Sequence, residues 1–212
     1  MTETTKNIDA TRRLAGETGL ALLNTHPFET LTLDEVATEA RIDAGLLHRL
    51  FTDMSVLVDQ GIRDMDDKII FGLAEDFAED PEASVREKIL EGLIVRFEAY
   101  APYKMAINHL NKASCRNPIL GGMLILRLNH AMHSLLRLAG GAGDGLTGML
   151  RVKGLSAVAL TCQRDWMKDE TSDLAATSRA LDTRLKQAES LAVSFRLIPD
   201  DRERGDHGSS QF

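Results

Sequence analysis

The sequence predicts an all-α protein of about nine helices: an N-terminal three-helix domain and a larger helical domain after it. Apolar residues recur every three or four positions along most of the 212-residue chain, which is the period of one buried helix face. Alternating apolar and polar runs are few, and the chain has two Tyr and one Trp, so little of it favours strands. Hydrophobic residues make up 43% of the chain, enough for a packed core.

Three segments are expected along the chain. Residues 1–55 are predicted to form a helix-turn-helix domain, and residues 56–197 a helical domain for ligand binding and dimerisation. Residues 198–212 are polar and are expected to be a disordered tail. The first helix, over residues 9–25, should end ahead of Pro27, because proline restricts the residue before it.

The stretch 30–57, TLTLDEVATEARIDAGLLHRLFTDMSVL, predicts two short helices joined by a tight turn. Thr32 and Glu35 have the spacing of a capping box, so the first short helix should begin directly after Thr32. Asp43 is placed to cap a second helix over residues 44–50. Helix-turn-helix units of this length commonly place the start of the second helix in the major groove of DNA.

One long helix over residues 54–77 is predicted next, spanning about 35 Å at 1.5 Å per residue. It would join the N-terminal domain to the rest of the chain. The glycine-rich residues 140–145 are predicted to be a flexible loop, since no GK[S/T] follows that would make them a phosphate loop. The remaining helices are predicted over residues 85–101, 104–113, 118–138, 150–168 and 172–197.

The helix-turn-helix stretch resembles the N-terminal domain of TetR-type bacterial repressors. The shared order is T-x-x-x-[I/V]-A-x-x-A-x-[I/V]-x-x-G-x-L-x-x-x-F-x-x-x-x-x-L, carried by Thr32, Val36, Ala37, Ala40, Ile42, Gly45, Leu47, Phe51 and Leu57. The chain departs from that pattern in having Arg41 where the family usually has Gly, His48 for Tyr, and Met54 for Lys.

This resemblance implies a dimeric, ligand-responsive regulator, a repressor in the family's usual sense, that reads a palindromic DNA operator. The residues nearest the DNA would then be Thr32, Ala44, Gly45, His48 and Arg49. Charge argues in the other direction. Residues 1–60 contain five Lys/Arg and ten Asp/Glu, a formal charge of 5 − 10 = −5. Because DNA affinity depends on neutralising phosphates, this acidic segment predicts weak, salt-sensitive binding or none.

A second resemblance supports an alternative function. Residues 155–185 are similar to the C-terminal region of the ubiquinone-biosynthesis lipid-binding proteins, in a pattern carried by Trp166, Asp169, Thr171, Thr177, Leu181, Asp182, Arg184 and Leu185. That family shares the TetR-type fold and binds lipid. The resemblance implies a lipid-binding accessory protein whose helix-turn-helix no longer reads DNA.

A site for a small hydrophobic ligand or lipid is predicted in the C-terminal domain, because Met and aromatic residues adapt well to such ligands. Its candidate lining residues are Phe97, Met105, His109, Met123 and Leu126, although any single residue of this kind at helical spacing is more often ordinary core. A homodimer is predicted through the last two helices, unless the same stripe is intramolecular core. The stripe consists of Leu155, Val158, Ala159, Trp166, Leu174, Leu181, Leu185 and Leu191.

No enzyme, cofactor or metal site is predicted, since the sequence has no G-x-S-x-G or HExxH motif. His130 and His133 stand three residues apart without a Cys or carboxylate partner, which is poor metal-ligand spacing. Cys115 and Cys162 lie in apolar helical patterns and are expected to be buried thiols in a reducing cytoplasm, with no disulfide. No signal peptide is expected, and no apolar run approaches the roughly 20 residues that span a bilayer.

Overall fold

The computed structural model describes residues 3–171 and 173–194, and for residues 3–6 and 191–194 it describes the backbone alone. These residues form nine α-helices and no strand, which confirms the predicted all-α class. The helices are α1 Glu3–Leu22, α2 Leu33–Ala40, α3 Ala44–Leu50, α4 Met54–Glu79, α5 Val85–Tyr100, α6 Lys104–Ser114, α7 Pro118–Leu138, α8 Gly145–Trp166 and α9 Ala175–Ser194. A short 3-10 helix, Ala101–Tyr103, precedes α6.

The chain divides into two compact units. The first comprises Met1–Glu79 and Val95–Ala131, and the second comprises Asp80–Ile94 and Met132–Phe212. Helices α5 and α7 each contribute residues to both units. The predicted boundary after residue 55 stays a prediction, and the predicted tail, residues 198–212, lies outside the described residues.

The predicted bounds of α3 and α7 and the predicted start of α2 agree with the structure. Helix α1 ends at Leu22, three residues earlier than predicted, because the amides of Thr25 and His26 both donate to the Leu22 carbonyl in a tight turn. The predicted first residue of the last helix, Ser172, and its predicted end at Leu197 lie outside the described residues.

Residues 140–144 of the glycine-rich segment form a connection without helix, as predicted, whereas α8 begins at Gly145 rather than at residue 150. A Cβ atom on Gly148 would lie only 1.9 Å from the carbonyl oxygen of Gly143. These glycines therefore permit a close approach of backbone to backbone at the start of α8, which no larger residue would allow.

In the first unit, α1 crosses α4 at two facing glycines. A Cβ on Gly61 would lie 2.6 Å from the carbonyl oxygen of Gly16, and a Cβ on Gly16 would lie 2.8 Å from the Cα of Gly61. One turn along α1, a Cβ on Gly19 would lie 2.3 Å from a methyl carbon of Leu57. The backbones of the two helices thus meet without intervening side chains, and α1 is fixed against α4.

In the second unit, α8 packs against α9. The apolar stripe predicted to form a dimer interface is buried inside the chain at Leu155, Val158, Ala159, Trp166, Leu174, Leu181 and Leu185. The intramolecular interpretation of this stripe is therefore the correct one, and the side chain of Leu191 lies outside the described residues. The side chains were assigned to the wrong surface because helical spacing shows that a face is buried without showing what buries it.

The connection between α8 and α9 is organised by the buried carboxylate of Asp169. Its Oδ1 accepts hydrogen bonds from the Thr171 backbone amide (3.2 Å) and hydroxyl (2.6 Å). Its Oδ2 accepts bonds from the Thr177 backbone amide and hydroxyl, both 2.8 Å long. These bonds from Thr171 and Thr177 hold the pKa of Asp169 well below its usual range.

Replacing Gly61 by Ala is expected to lower the free energy of unfolding by about 1–3 kcal/mol, because the new methyl group forces α1 away from α4. The matched control is Gly72→Ala in the same helix, where a Cβ meets nothing within 4 Å. This control should gain about 0.5–1 kcal/mol from the better helix propensity of Ala. Urea denaturation measures both changes, and equal stabilities of the two variants would contradict the packing described.

Asp169→Asn should reduce the dependence of stability on acid pH. The folded-state pKa of Asp169 lies below its unfolded value of about 3.9, so its contribution is complete above that pH and is lost as the pH falls below it. Urea midpoints at about pH 7 and pH 3 should therefore differ more in the wild-type protein than in the variant. Glu170→Gln, at an exposed neighbouring position, should retain the wild-type difference.

Candidate functional site

The entry into the helix-turn-helix is fixed by the capping box predicted at Thr32. The Thr32 hydroxyl oxygen accepts a bond from the Glu35 amide (3.3 Å), and Glu35 Oε2 accepts bonds from the Thr32 amide and hydroxyl, both 2.8 Å. The bonds from Thr32 lower the pKa of Glu35, so this carboxylate stays charged beside the positive end of the α2 dipole.

The turn between α2 and α3 depends on a left-handed residue. Arg41 has φ 55° and ψ 40°, and the Ile42 amide donates to the Ala37 carbonyl at 2.9 Å, closing the end of α2. Glycine adopts this conformation without a Cβ penalty, so an arginine here carries backbone strain. The departure from the TetR-type pattern at Arg41 therefore keeps the turn and costs some stability.

Helix α3 is anchored at both ends. Asp43 Oδ1 accepts a 2.7 Å bond from the Leu46 amide and caps the N-terminus. Leu47 and Phe51 are fully buried and attach α3 to the rest of the first unit. The opposite face of α3 is consequently turned to solvent. All five predicted DNA-contacting residues are exposed, namely Thr32, Ala44, Gly45, His48 and Arg49.

Electrostatics on this exposed face are mixed. Nε2 of His48 lies 3.0 Å from Oδ1 of Asp34, with the two side chains 53% and 73% exposed. Helix α3 has two basic side chains, His48 and Arg49, and His48 lies beside the carboxylate of Asp34. Arg49 lies close to the small Gly45, where an added Cβ would be 3.6 Å from Arg49 Nη1. Arg49 therefore supplies the positive charge on this face of α3.

The five residues predicted to line a ligand site are not equally enclosed. Phe97 is buried and His109 and Met123 are half-buried, whereas Met105 is 48% and Leu126 70% exposed. Nδ1 of His109 lies 2.7 Å from the Leu23 carbonyl oxygen, so this ring makes a structural contact between α6 and the end of α1.

A buried polar cluster in the first unit was not predicted from the sequence. Asp66 on α4 is 6% exposed, and its Oδ1 accepts bonds from Arg96 Nε (2.9 Å) and the Tyr100 hydroxyl (3.2 Å). Nearby on α4, Asp59 accepts two bonds from Arg127, at 2.8 and 2.5 Å. The signal was available, because Asp66 occupies a core position in the helical register that buries Ile62 and Ile69.

Within the described residues, no group of three or more His, Cys, Asp or Glu side chains is arranged to hold a metal ion. None of the helices in the described part of the chain combines the length and the apolar character that a membrane span requires. Both cysteines are free thiols, and Cys162 is buried as predicted, whereas the prediction that Cys115 is buried is wrong, because Cys115 is exposed just after the end of α6.

Comparison with known proteins found similarity in structure alone. No protein-family profile matches the sequence, and no curated protein matches it. A TetR transcriptional regulator from Nitrosomonas europaea ATCC 19718 superimposes with a TM-score of 0.69 at 17% identity, covering 85% of this chain and 99% of that one. A candidate TetR-family transcriptional regulator from Rhodococcus sp. gives 0.58 at 18% identity, covering 82% and 98%.

A third solved structure, a candidate transcriptional regulator from Pseudomonas aeruginosa PAO1, gives a TM-score of 0.55 at 17% identity. It covers 88% of this chain and 93% of that one. Each match extends well beyond the helix-turn-helix, so the likeness is not limited to the N-terminal motif. The chain therefore has the fold of TetR-type transcriptional regulators.

Proposed function

We propose that this protein is a dimeric transcriptional regulator of TetR type that binds a palindromic DNA operator and releases it in response to a small ligand. The observation that carries the proposal is the exposed face of α3. The helix is capped by Asp43 and anchored by Leu47 and Phe51, and its exposed residues are Ala44, Gly45, His48 and Arg49. The proposal is for binding without catalysis, in the cytoplasm where the operator is.

The chemistry of that face suits the major groove. Ala44 and Gly45 are small and allow the start of α3 to approach base edges closely. Arg49 offers a planar, always charged donor group, and His48 offers a ring N–H. Thr32, at the start of α2, is the proposed contact to backbone phosphate, and its hydroxyl would have to exchange its bond to Glu35 Oε2 for one to phosphate.

The acidic surroundings set the limits of this binding. Asp34 lies beside His48, and phosphate must compete with its carboxylate. The −5 formal charge of residues 1–60 repels DNA at long range. An effective operator complex therefore depends on two half-sites bound at once by a dimer, since each half contributes little phosphate neutralisation.

A dimer surface is available on α8. Its solvent-exposed side carries apolar residues in a helical stripe: Leu146, Met149, Leu150 and Leu160. Between them lie Gly154 and Ala157, both exposed and small, and a Cβ on Gly154 would meet nothing within 4 Å. Small residues between large apolar ones allow two helices to pack closely across a two-fold axis. We assign the homodimer interface to this face rather than to the stripe predicted from the sequence.

Ligand binding is coupled to DNA binding through α4. This helix begins at Met54, directly after α3, and its other end lies in the same unit as α6 and part of α5 and α7. A ligand that shifts α4 moves α3 and changes the spacing of the two α3 helices in the dimer, which weakens operator affinity. The proposed ligand-binding residues remain Phe97, His109, Met123, Met105 and Leu126, of which the last two are exposed.

The acidic helix-turn-helix and the His48–Asp34 pair favour one alternative, a lipid-binding accessory protein with this fold that does not read DNA. Lipid binding would use exposed apolar side chains on α7, where Ile119 is 84% and Leu126 70% exposed. The similarity of residues 155–185 to ubiquinone-biosynthesis proteins stays a prediction. Absence of duplex binding at low salt would favour this alternative.

Arg49→Ala should weaken operator binding by about 5- to 150-fold, because a good contact to a base contributes on the order of 1–3 kcal/mol. Fluorescence anisotropy with a duplex of the protein's own upstream region measures the change. Arg179→Ala, exposed on α9 in the second unit, is the matched control and should bind as the wild type does. Unchanged affinity of the Arg49 variant would contradict the assignment of α3 as the reading helix.

Leu160→Glu should convert the dimer to a monomer, because it places a charge in the apolar face of α8. Sedimentation velocity distinguishes the two states. Leu126→Glu introduces the same change at a side chain that is 70% exposed on α7, and it should leave the dimer intact. A Leu160 variant that still sediments as a dimer would show that another surface forms the interface.

A further inference from the structure

Only one of the two oxygens of the buried Asp66 carboxylate accepts hydrogen bonds from the described residues. Oδ1 accepts the bonds from Arg96 and Tyr100. Oδ2 is fully buried and has no hydrogen-bond partner among the described residues. Buried polar atoms in folded proteins are nearly always paired, so an unpaired carboxylate oxygen inside a helical unit indicates a position for an additional donor.

The neighbouring groups hold this arrangement in place. The guanidinium of Arg96 lies 4.6 Å from the centre of the Tyr100 ring, and the Tyr100 hydroxyl is also 3.3 Å from the Ile62 carbonyl oxygen. Burial, together with the charge of Asp66, raises the pKa of Tyr100 well above its usual value, so the phenol keeps its proton and remains a donor. Both groups fix Asp66 Oδ1 and leave Oδ2 as the open acceptor.

The nearby arginine on α7 does not fill this position. Arg127 is engaged in a two-bond pair with Asp59, and its hydrogen bonds to Asp59 raise its pKa. Arg63, a further basic residue of α4, is within 3.8 Å of the same Asp59 and is half exposed. The basic side chains around the cluster are thus directed to Asp59 and to Oδ1 of Asp66.

We propose that Asp66 is the polar anchor of the ligand site, and that the ligand is a small organic cation whose N–H group donates to Oδ2. A charged donor forms a stronger bond to a carboxylate than a neutral one does, and an ionised carboxylate ligand has no proton to donate to Oδ2. This inference rests on the proposed function, since it names the class of ligand to which the regulator responds. It replaces the predicted purely hydrophobic ligand by an amine with an apolar body.

The position of Asp66 also explains how such a ligand would act. Asp66 lies in the middle of α4, the helix that follows α3, and its partners Arg96 and Tyr100 lie on α5. A cation at Oδ2 competes with Arg96 for the charge of Asp66 and changes how α4 is held against α5. The effect on DNA would therefore be transmitted along α4 itself.

The test is a ligand-observed NMR titration of the full chain with three probes of similar size: benzylamine, benzyl alcohol and benzoate. The wild-type protein should bind benzylamine at least about tenfold more tightly than the other two, a difference of about 1.4 kcal/mol. Asp66→Asn should abolish this preference. Asp67→Asn removes an exposed carboxylate from the adjacent position and should preserve it.

Equal affinities for the three probes would overturn the proposal, as would no saturable benzylamine binding up to about 10 mM or an unchanged preference in Asp66→Asn. A water molecule alone at Oδ2 predicts the first of these results. Should Asp66→Asn fail to fold, the ranking of the probes on the wild-type protein decides the question. The titration contains no DNA, so a negative result would leave the DNA-binding proposal standing. A separate finding that the protein does not bind DNA would not change the probe preference measured here.

Discussion

The contact between the backbones of α1 and α4 at Gly16 and Gly61 is the constraint on which the rest of the first unit depends. It fixes α1 to the helix that follows the helix-turn-helix, α2 packs against α1, and α3 packs against α2. The exposed face of α3 is therefore held in a defined position relative to α4. No side chain lies between the two backbones at this crossing, so none can change its conformation to absorb a movement of α4. A shift of α4 therefore moves α1 as well.

Two buried carboxylates illustrate how the same chemical group serves different purposes. Asp169 is fully engaged by donors from Thr171 and Thr177, and it orders the connection between α8 and α9. Asp66 is engaged through one oxygen only. A saturated carboxylate contributes to stability, whereas a half-saturated one keeps an acceptor for a partner that arrives separately. This difference is why the ligand proposal is centred on Asp66.

Local signals were sufficient for most of the fold and for the surface of the proposed DNA site. The capping residues Thr32 and Asp43 correctly located α2 and α3, because caps act through bonds within three or four residues. What the sequence did not reveal depended on partners distant in the chain. The apolar stripe on α8 and α9 was assigned to a dimer although α8 and α9 cover each other. The helical register indicates that Asp66 is buried, but it does not identify its partners, which lie about 30 residues away.

The central claim is that an acidic helix-turn-helix still reads DNA through α3. Its most direct test is an anisotropy titration of the wild-type protein with its own upstream duplex at about 50 and 200 mM salt, against a random duplex as competitor. The account predicts sequence-selective binding that weakens steeply as salt is added. No binding at the lower salt concentration would contradict this claim and would favour the lipid-binding alternative.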